Sequence, residues 1–212
     1  MPDDIHAPRP ATQEAPRAPK GWYVPHALPH FDSPEVVQAV TFRLADALPR
    51  AVAAVRKDET VAAQRGRLAA ALDAGYGACL LGDPAHAEMV EAALLYGAAI
   101  KYELFARVVM PNHVHALIAP KDGHRLPDIA QAWKSWTAKA IKRRRAAAGH
   151  VWQREYFDRY IRDERHFAAA VAYIEDNPVK AGLASSPGEW RFGSAWEGAR
   201  PARPDGWTPS LP

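Results

Sequence analysis

The chain has a single cysteine, Cys79, in 212 residues. No internal disulfide can form, so a reducing compartment is expected, and that small side chain is expected simply to be buried. No apolar run approaches the roughly 20 residues that a membrane-crossing helix needs. The opening stretch, Met1-Pro-Asp-Asp-Ile-His, lacks the basic-then-apolar layout of a secretory signal. A cytoplasmic location is expected. There is no internal repeat and no large excess of one charge: 27 Lys and Arg stand against 24 Asp and Glu, a net charge of +3. Such a balance tolerates nucleic acid as a partner without demanding it.

What is present is enough for one ordinary domain, since 48% of the residues are hydrophobic. The basic residues are unevenly spread. Lys134, Lys139, Lys142, Arg143, Arg144 and Arg145 crowd one segment, and local density matters more for phosphate binding than the total.

The segment 1–20 is rich in Pro, Ala and charge without periodicity and reads as a disordered arm. Dense prolines from Gly21 to Pro34 predict an extended lead-in. Val36 to Leu44 is β-branched and aromatic, a first strand. Leu48 to Ala74 is Ala-rich and helical. Pro84 opens a second helix to about Ala99. Tyr102–Met110 and His113–Ala119 form a strand pair around the turn at Pro111 and Asn112. Leu126 to about Ala148 is a third helix, with Leu126, Ile129, Trp133, Trp136 and Ile141 at helical intervals. Trp152 to Arg162 is extended. Asp163 is an N-cap for a fourth helix ending near Asn177, where Pro178 stops it. The domain is expected over 21–184, followed by a Pro- and Trp-rich tail over 185–212. This order predicts an α+β fold, a small antiparallel sheet with helices covering one face.

The stretch Arg107-Val-Val-Met-Pro-Asn-His-Val-His-Ala-Leu-Ile-Ala119 carries the chemistry. Side chains alternate along a strand, so His113 and His115 share a face at roughly 6.5–7 Å spacing, close enough to converge on one ion. On a helix, residues two apart point about 200° from each other and cannot do so. A metal site needs a third ligand. At about 100° per residue, the fourth helix places Phe167, Val171 and Ile174 on a buried stripe. His166, Tyr173 and Asn177 then lie on the flank beside it.

Val109-Met-Pro-Asn-His-Val-His-Ala-Leu-Ile118 resembles the His-hydrophobic-His (HUH) signature of the single-tyrosine transposases. Trp152-Gln-Arg-Glu-Tyr-Phe-Asp-Arg-Tyr-Ile-Arg162, followed by Tyr173-Ile-Glu-Asp-Asn-Pro-Val-Lys-Ala-Gly-Leu183, resembles that family's second signature. Pro29-His-Phe-Asp and Val40-Thr-Phe-Arg-Leu-Ala-Asp46 resemble the REP-associated tyrosine transposases in particular. The resemblance implies a ferredoxin-like antiparallel sheet with the histidines on a central strand. It makes Tyr173 the catalytic nucleophile and Asn177 the third ligand beside His113 and His115, with magnesium or manganese as cofactor. Tyr156 and Tyr160 are rival tyrosines at a different position from the family's nucleophile.

The expected activity is metal-dependent cutting and transfer of a DNA strand through a 5′-phosphotyrosine, on single-stranded or hairpin DNA of REP-palindrome type. Nucleoid association follows from that activity. His166 is a candidate base. Lys134, Lys139, Lys142, Arg143, Arg154, Arg159 and Arg162 are candidate DNA contacts, with Trp133 and Trp136 beside them for base stacking. Two other readings compete. One is a domesticated palindrome-binding protein that does not cut. The other is a nucleotide hydrolase using the His pair, which would want a third alternating histidine where this chain has Leu117. Both a monomer and a homodimer are compatible with the sequence.

Overall fold

The histidine-bearing strand lies in the middle of a four-stranded antiparallel sheet in the computed structural model, which describes residues 18–25, 28–54, 59–145 and 149–196. The strands in chain order are β1 (Gly21–Tyr23), β2 (His30–Asp32), β3 (Gln38–Arg43), β4 (Tyr102–Val109), β5 (His113–Pro120) and β6 (Phe157–Tyr160). The main sheet runs β4-β5-β3-β6, and β1 and β2 form a separate two-stranded ladder. The helices are α1 (Arg50–Ala53), α2 (Val61–Asp73), α3 (Pro84–Tyr96), α4 (Leu126–Arg145), α5 (Glu164–Glu175) and α6 (Asn177–Lys180).

Every residue of β5 is buried. A strand covered on both faces reads as a continuous apolar run rather than as an alternation, which explains the sequence around the two histidines. One face carries Val40, Phe42, Val114, Ala116 and Ile118. They pack with Val90 and Leu94 of α3 and with Ile129 and Trp133 of α4. The other face carries Leu117, Ala106 and Val108 against Val171 and Ile174 of α5. Burying each of those two α5 side chains contributes roughly 1.5–3 kcal/mol and fixes the rotation of the helix. Helices therefore cover both faces, where the element order alone predicted one. No described helix is long and apolar enough to cross a membrane.

Other boundaries shift for identifiable reasons. The expected long helix over 48–74 is divided, because Thr60 starts α2 afresh as its N-cap, accepting from the Ala63 amide at 3.2 Å. The extended lead-in pairs with itself, Trp22 opposite Phe31. Asp163 caps α5 as expected, accepting from the His166 amide at 2.7 Å. Pro178 does not end the helical path. Asp176 interrupts it, and Asn177–Lys180 adds a further turn with Pro178 near its start, where proline's missing N–H is harmless. The tail is draped as far as Trp196: Gly193 bridges to Val108, and the Trp190 indole donates to the Val109 carbonyl at 3.0 Å. The expected arm lies outside the described residues except for 18–20, as does the tail from 197 to 212. Cys79 is half-buried rather than buried, in the left-handed region at φ 46°.

Candidate functional site

His113 and His115 project from the same face of β5, their ring centroids 4.7 Å apart. Each is anchored through Nδ1. Asn112 donates its amide to the Leu72 and Tyr76 carbonyls at 3.1 and 3.2 Å, leaving Oδ1 to accept from His113 Nδ1 at 2.7 Å. That assignment puts the proton on His113 Nδ1 and leaves the Nε2 lone pair facing inward, where it is buried and without a hydrogen-bond partner. Thr41 lies opposite His115 in the β3–β5 register, and its hydroxyl meets His115 Nδ1 at 2.7 Å. Such partners orient an imidazole and set which nitrogen can ligate.

Asn177 closes the site from the end of the α5–α6 junction. It is fully buried, its Nδ2 is 3.5 Å from His115 Nε2, and its Oδ1 has no partner. Two imidazole nitrogens and an amide oxygen thus converge from a central strand and a helix. The Tyr173 ring stands edge-on to His115, 5.4 Å between centroids, with the Lys180 ammonium 4.8 Å from the phenol ring. The four residues singled out from two separate periodicities meet at one place.

Electrostatics agree with this geometry. Burial pushes His113 down to about 4, partly opposed by the nearby Asn177 side chain. Burial, then the neighbouring His113 and Lys180, push His115 well below the ordinary imidazole value. Both rings are neutral near pH 7, the form in which imidazole ligates a metal. The Tyr173 phenol is pushed up by burial and by Asp73, with Asn177 opposing. Asp73 at the end of α2 is itself pushed up by burial and held back by Lys180. Among the described residues no three His, Cys, Asp or Glu side chains are arranged to hold a metal. The two histidines completed by the Asn177 amide are the side chains here that could hold one. An orphaned imidazole nitrogen and an orphaned amide oxygen, each costing about 1–3 kcal/mol to bury unpaired, suit a divalent cation as the missing partner.

A cleft of about 420 Å³ opens beside these residues between β3, β6, α2 and α5. His115 and Tyr173 line it, with Arg159 on the β6 side and His166 two helical turns before Tyr173. His166 Nδ1 accepts from the Arg162 amide at 3.3 Å, and burial and the Arg159 and Arg162 cations push its pKa down.

The remaining expected contacts divide. Lys139, Arg143, Arg154, Arg159 and Arg162 are exposed and Lys142 is half-exposed. Lys134 is not at the surface: its ammonium is turned inward and donates to the Arg154 carbonyl at 2.5 Å, and burial pushes its pKa to about 8. It braces the segment before β6 instead of reaching solvent. Trp133 is a core residue whose indole donates to the Tyr102 hydroxyl at 2.9 Å, while Trp136 is half-exposed. Tyr156 is buried in the core on the α4 side, and Tyr160 pairs with Gln38 on that same side, away from the histidines. Sequence reasoning missed Thr41, Asp73 and Lys180, and gave Asn112 only a turn. The register that sets Thr41 against His115 has no local signal. Lys180 lies one helical turn beyond Asp176, a spacing that could have flagged it.

Residues 80–177 match the family described as Transposase IS200 like. The chain is 27% identical over 103 residues to a putative REP-associated tyrosine transposase of Haemophilus influenzae, covering 44% of this chain and 58% of that protein. It is 29% identical over 93 residues to a REP-associated tyrosine transposase of Escherichia coli, covering 43% and 53%. The chain thus spans little more than half the length of these curated relatives. A solved REP-associated tyrosine transposase bound to a REP hairpin shares the fold, with a TM-score of 0.55 over 80% of this chain and 82% of that one, at 17% identity.

Proposed function

We propose that this chain, which matches the IS200-like transposase family model across residues 80–177, cuts one strand of hairpin-forming DNA, holds the end on Tyr173 and passes it to another strand. The observation that carries this reading is the meeting of His113, His115 and Asn177 beside a half-exposed tyrosine at the mouth of a cleft.

A phosphodiester resists attack because its charge repels nucleophiles and its alkoxide leaves poorly. A divalent cation, magnesium or manganese, would be held by His113 Nε2, His115 Nε2 and Asn177, and would supply Lewis-acid polarisation of a non-bridging phosphate oxygen. Tyr173 Oη attacks phosphorus in line, the bond to the 3′-oxygen breaks, and the electron pair leaves with that oxygen, which takes up a proton. The products are a 5′-phosphotyrosine and a 3′-hydroxyl, and reversal by a second 3′-hydroxyl rejoins DNA without a nucleotide cofactor. The phenol enters with its pKa raised, so it needs help in losing its proton. The Lys180 cation over the ring favours the phenolate. Asn112 and Thr41 hold the imidazoles so that no reorganisation is needed at the moment of reaction. Lys139, Lys142 and Arg143 on α4, with Arg154, Arg159 and Arg162 around β6, supply phosphate contacts.

The test is incubation of the full chain with an end-labelled hairpin oligonucleotide bearing a single-stranded extension, with manganese, followed by a denaturing gel. A covalent protein–DNA band is expected that disappears in Tyr173→Phe and with chelator. A band of equal strength in Tyr173→Phe would overturn the assignment.

A further inference from the structure

The β1–β2 hairpin carries Trp22, 63% exposed, on the outside of the domain. A lone exposed tryptophan needs no explanation. This one is built into a platform: its ring lies 5.2 Å from Phe31 and meets Tyr160 edge-on at 5.9 Å, and Phe31 and Tyr160 are themselves 5.5 Å apart.

The support beneath is rigid. Phe31 is held at both backbone groups, its amide donating to Asp158 at 2.9 Å and its carbonyl accepting from Gln38 at 2.7 Å. Asp158 also pairs with the buried His30. On the other side of Phe31, Asp32 accepts from the Leu126 and Lys20 amides, each at 3.1 Å. Buried acids and a buried histidine thus staple a three-residue strand in place and hold Phe31, itself half-buried, beneath exposed Trp22. Burying such groups costs free energy, and the ring stack that they position ends in exposed Trp22 rather than in the core.

The platform's position gives it a use. Tyr160 follows Arg159 directly in β6, and successive strand residues face opposite sides of the sheet. Arg159 lines the cleft that contains Tyr173, and Tyr160 supports Trp22 on the reverse. β6 is the last strand of its sheet. A single strand leaving the cleft past exposed Arg159 and Arg162 has to cross only the thickness of one edge, within about 10 Å, to reach the tryptophan. Cations along the backbone path followed by an aromatic face are the elements that grip single-stranded nucleic acid.

We propose that Trp22, backed by Phe31 and Tyr160, is a base-stacking anchor for the single-stranded DNA flanking the cleavage position, and that it registers the strand in the Tyr173 cleft. This rests on the strand-cutting reading above, but its test is made by binding alone. The full chain, with chelator to prevent cutting, is titrated with two labelled oligonucleotides: a blunt hairpin, and the same hairpin with a single-stranded extension. Stacking is worth about 1–3 kcal/mol per base, so Trp22→Ala is expected to weaken binding of the extended hairpin by roughly 5- to 150-fold. The blunt hairpin should change by less than about twofold, Trp22→Phe should keep most of the affinity, and Tyr96→Ala, at an exposed aromatic on α3, controls for loss of any surface aromatic. One abasic position in the extension should reproduce the loss in the wild-type protein and add nothing to it in Trp22→Ala, the signature of one shared contact. Unchanged affinity for the extended hairpin in Trp22→Ala, equal losses on both oligonucleotides, or additive effects of the abasic position and the variant would each overturn the proposal. If the platform holds while the Tyr173 adduct never forms, the chain grips strands without cutting them. If the adduct forms and Trp22→Ala binds normally, only the platform fails.

Discussion

Acidifying the protein from about pH 7 to about pH 5, with a chelator present, should destabilise it because of the two buried imidazoles. An imidazole whose pKa falls on folding binds more proton in the unfolded chain than in the folded one. Its contribution is therefore fully present above the unfolded value near 6.5 and is lost as pH falls toward the folded one. For His113 the folded value is about 4. At about 1.4 kcal/mol per tenfold change in proton affinity, the whole window is worth roughly 3 kcal/mol, of which about 2 has gone by pH 5. His115, lowered further by burial and by His113 and Lys180, acts in the same direction. So does half-buried His166. Asp73, raised by burial, takes up a proton more readily when folded and so offsets this trend. With an m-value of about 2 kcal/mol per molar urea, the His113 share alone moves the unfolding midpoint down by about 1 M. The assay is urea unfolding followed by circular dichroism at pH 7, 6 and 5, a range above most carboxylate titrations. The double variant His113→Gln, His115→Gln should lose most of the pH dependence. Coincident midpoints at pH 5 and 7, or the same decline in the double variant, would refute the claim that these rings are held neutral by burial.

Three further variants test particular contacts. Thr41→Val keeps the shape of the side chain but leaves His115 Nδ1 without its 2.7 Å partner. Affinity for manganese, measured by calorimetry, should fall about 10- to 100-fold, and an unchanged affinity would remove Thr41 from the site. Lys134→Met should leave hairpin affinity within about twofold, because that ammonium faces the Arg154 carbonyl. Arg143→Ala should weaken binding and reduce its salt slope by about one. Equal losses in the two variants would show that Lys134 reaches DNA after all.

Local periodicity was a reliable guide wherever the backbone alone decides direction. Strand alternation placed His113 and His115 together, and helical spacing placed Tyr173 and Asn177 on one flank; in the structure the two pairs meet at His115. The same reasoning failed for Lys134, because which side of α4 packs against the segment before β6 is a property of that packing and not of charge density. It failed at Pro178, where a one-residue break lets a new helical turn begin. It read the proline-rich lead-in as extended but not as a paired ladder, because the partner strand and the Asp158 anchor are set by tertiary contacts.

The sequence by itself determined which side chains share a face, since two backbone periods and a run of apolar residues set His113 beside His115 and Tyr173 beside Asn177; their roles as proposed donors and nucleophile came from the resemblance to the transposase family. Only the tertiary structure decided how those donors are tuned. The β3–β5 register puts Thr41 on His115, the end of α2 holds Asn112 against His113, and β6 ties Trp22 to the rim of the cleft. Each of these is a contact between segments far apart in the chain, and no local spacing encodes where such segments will meet.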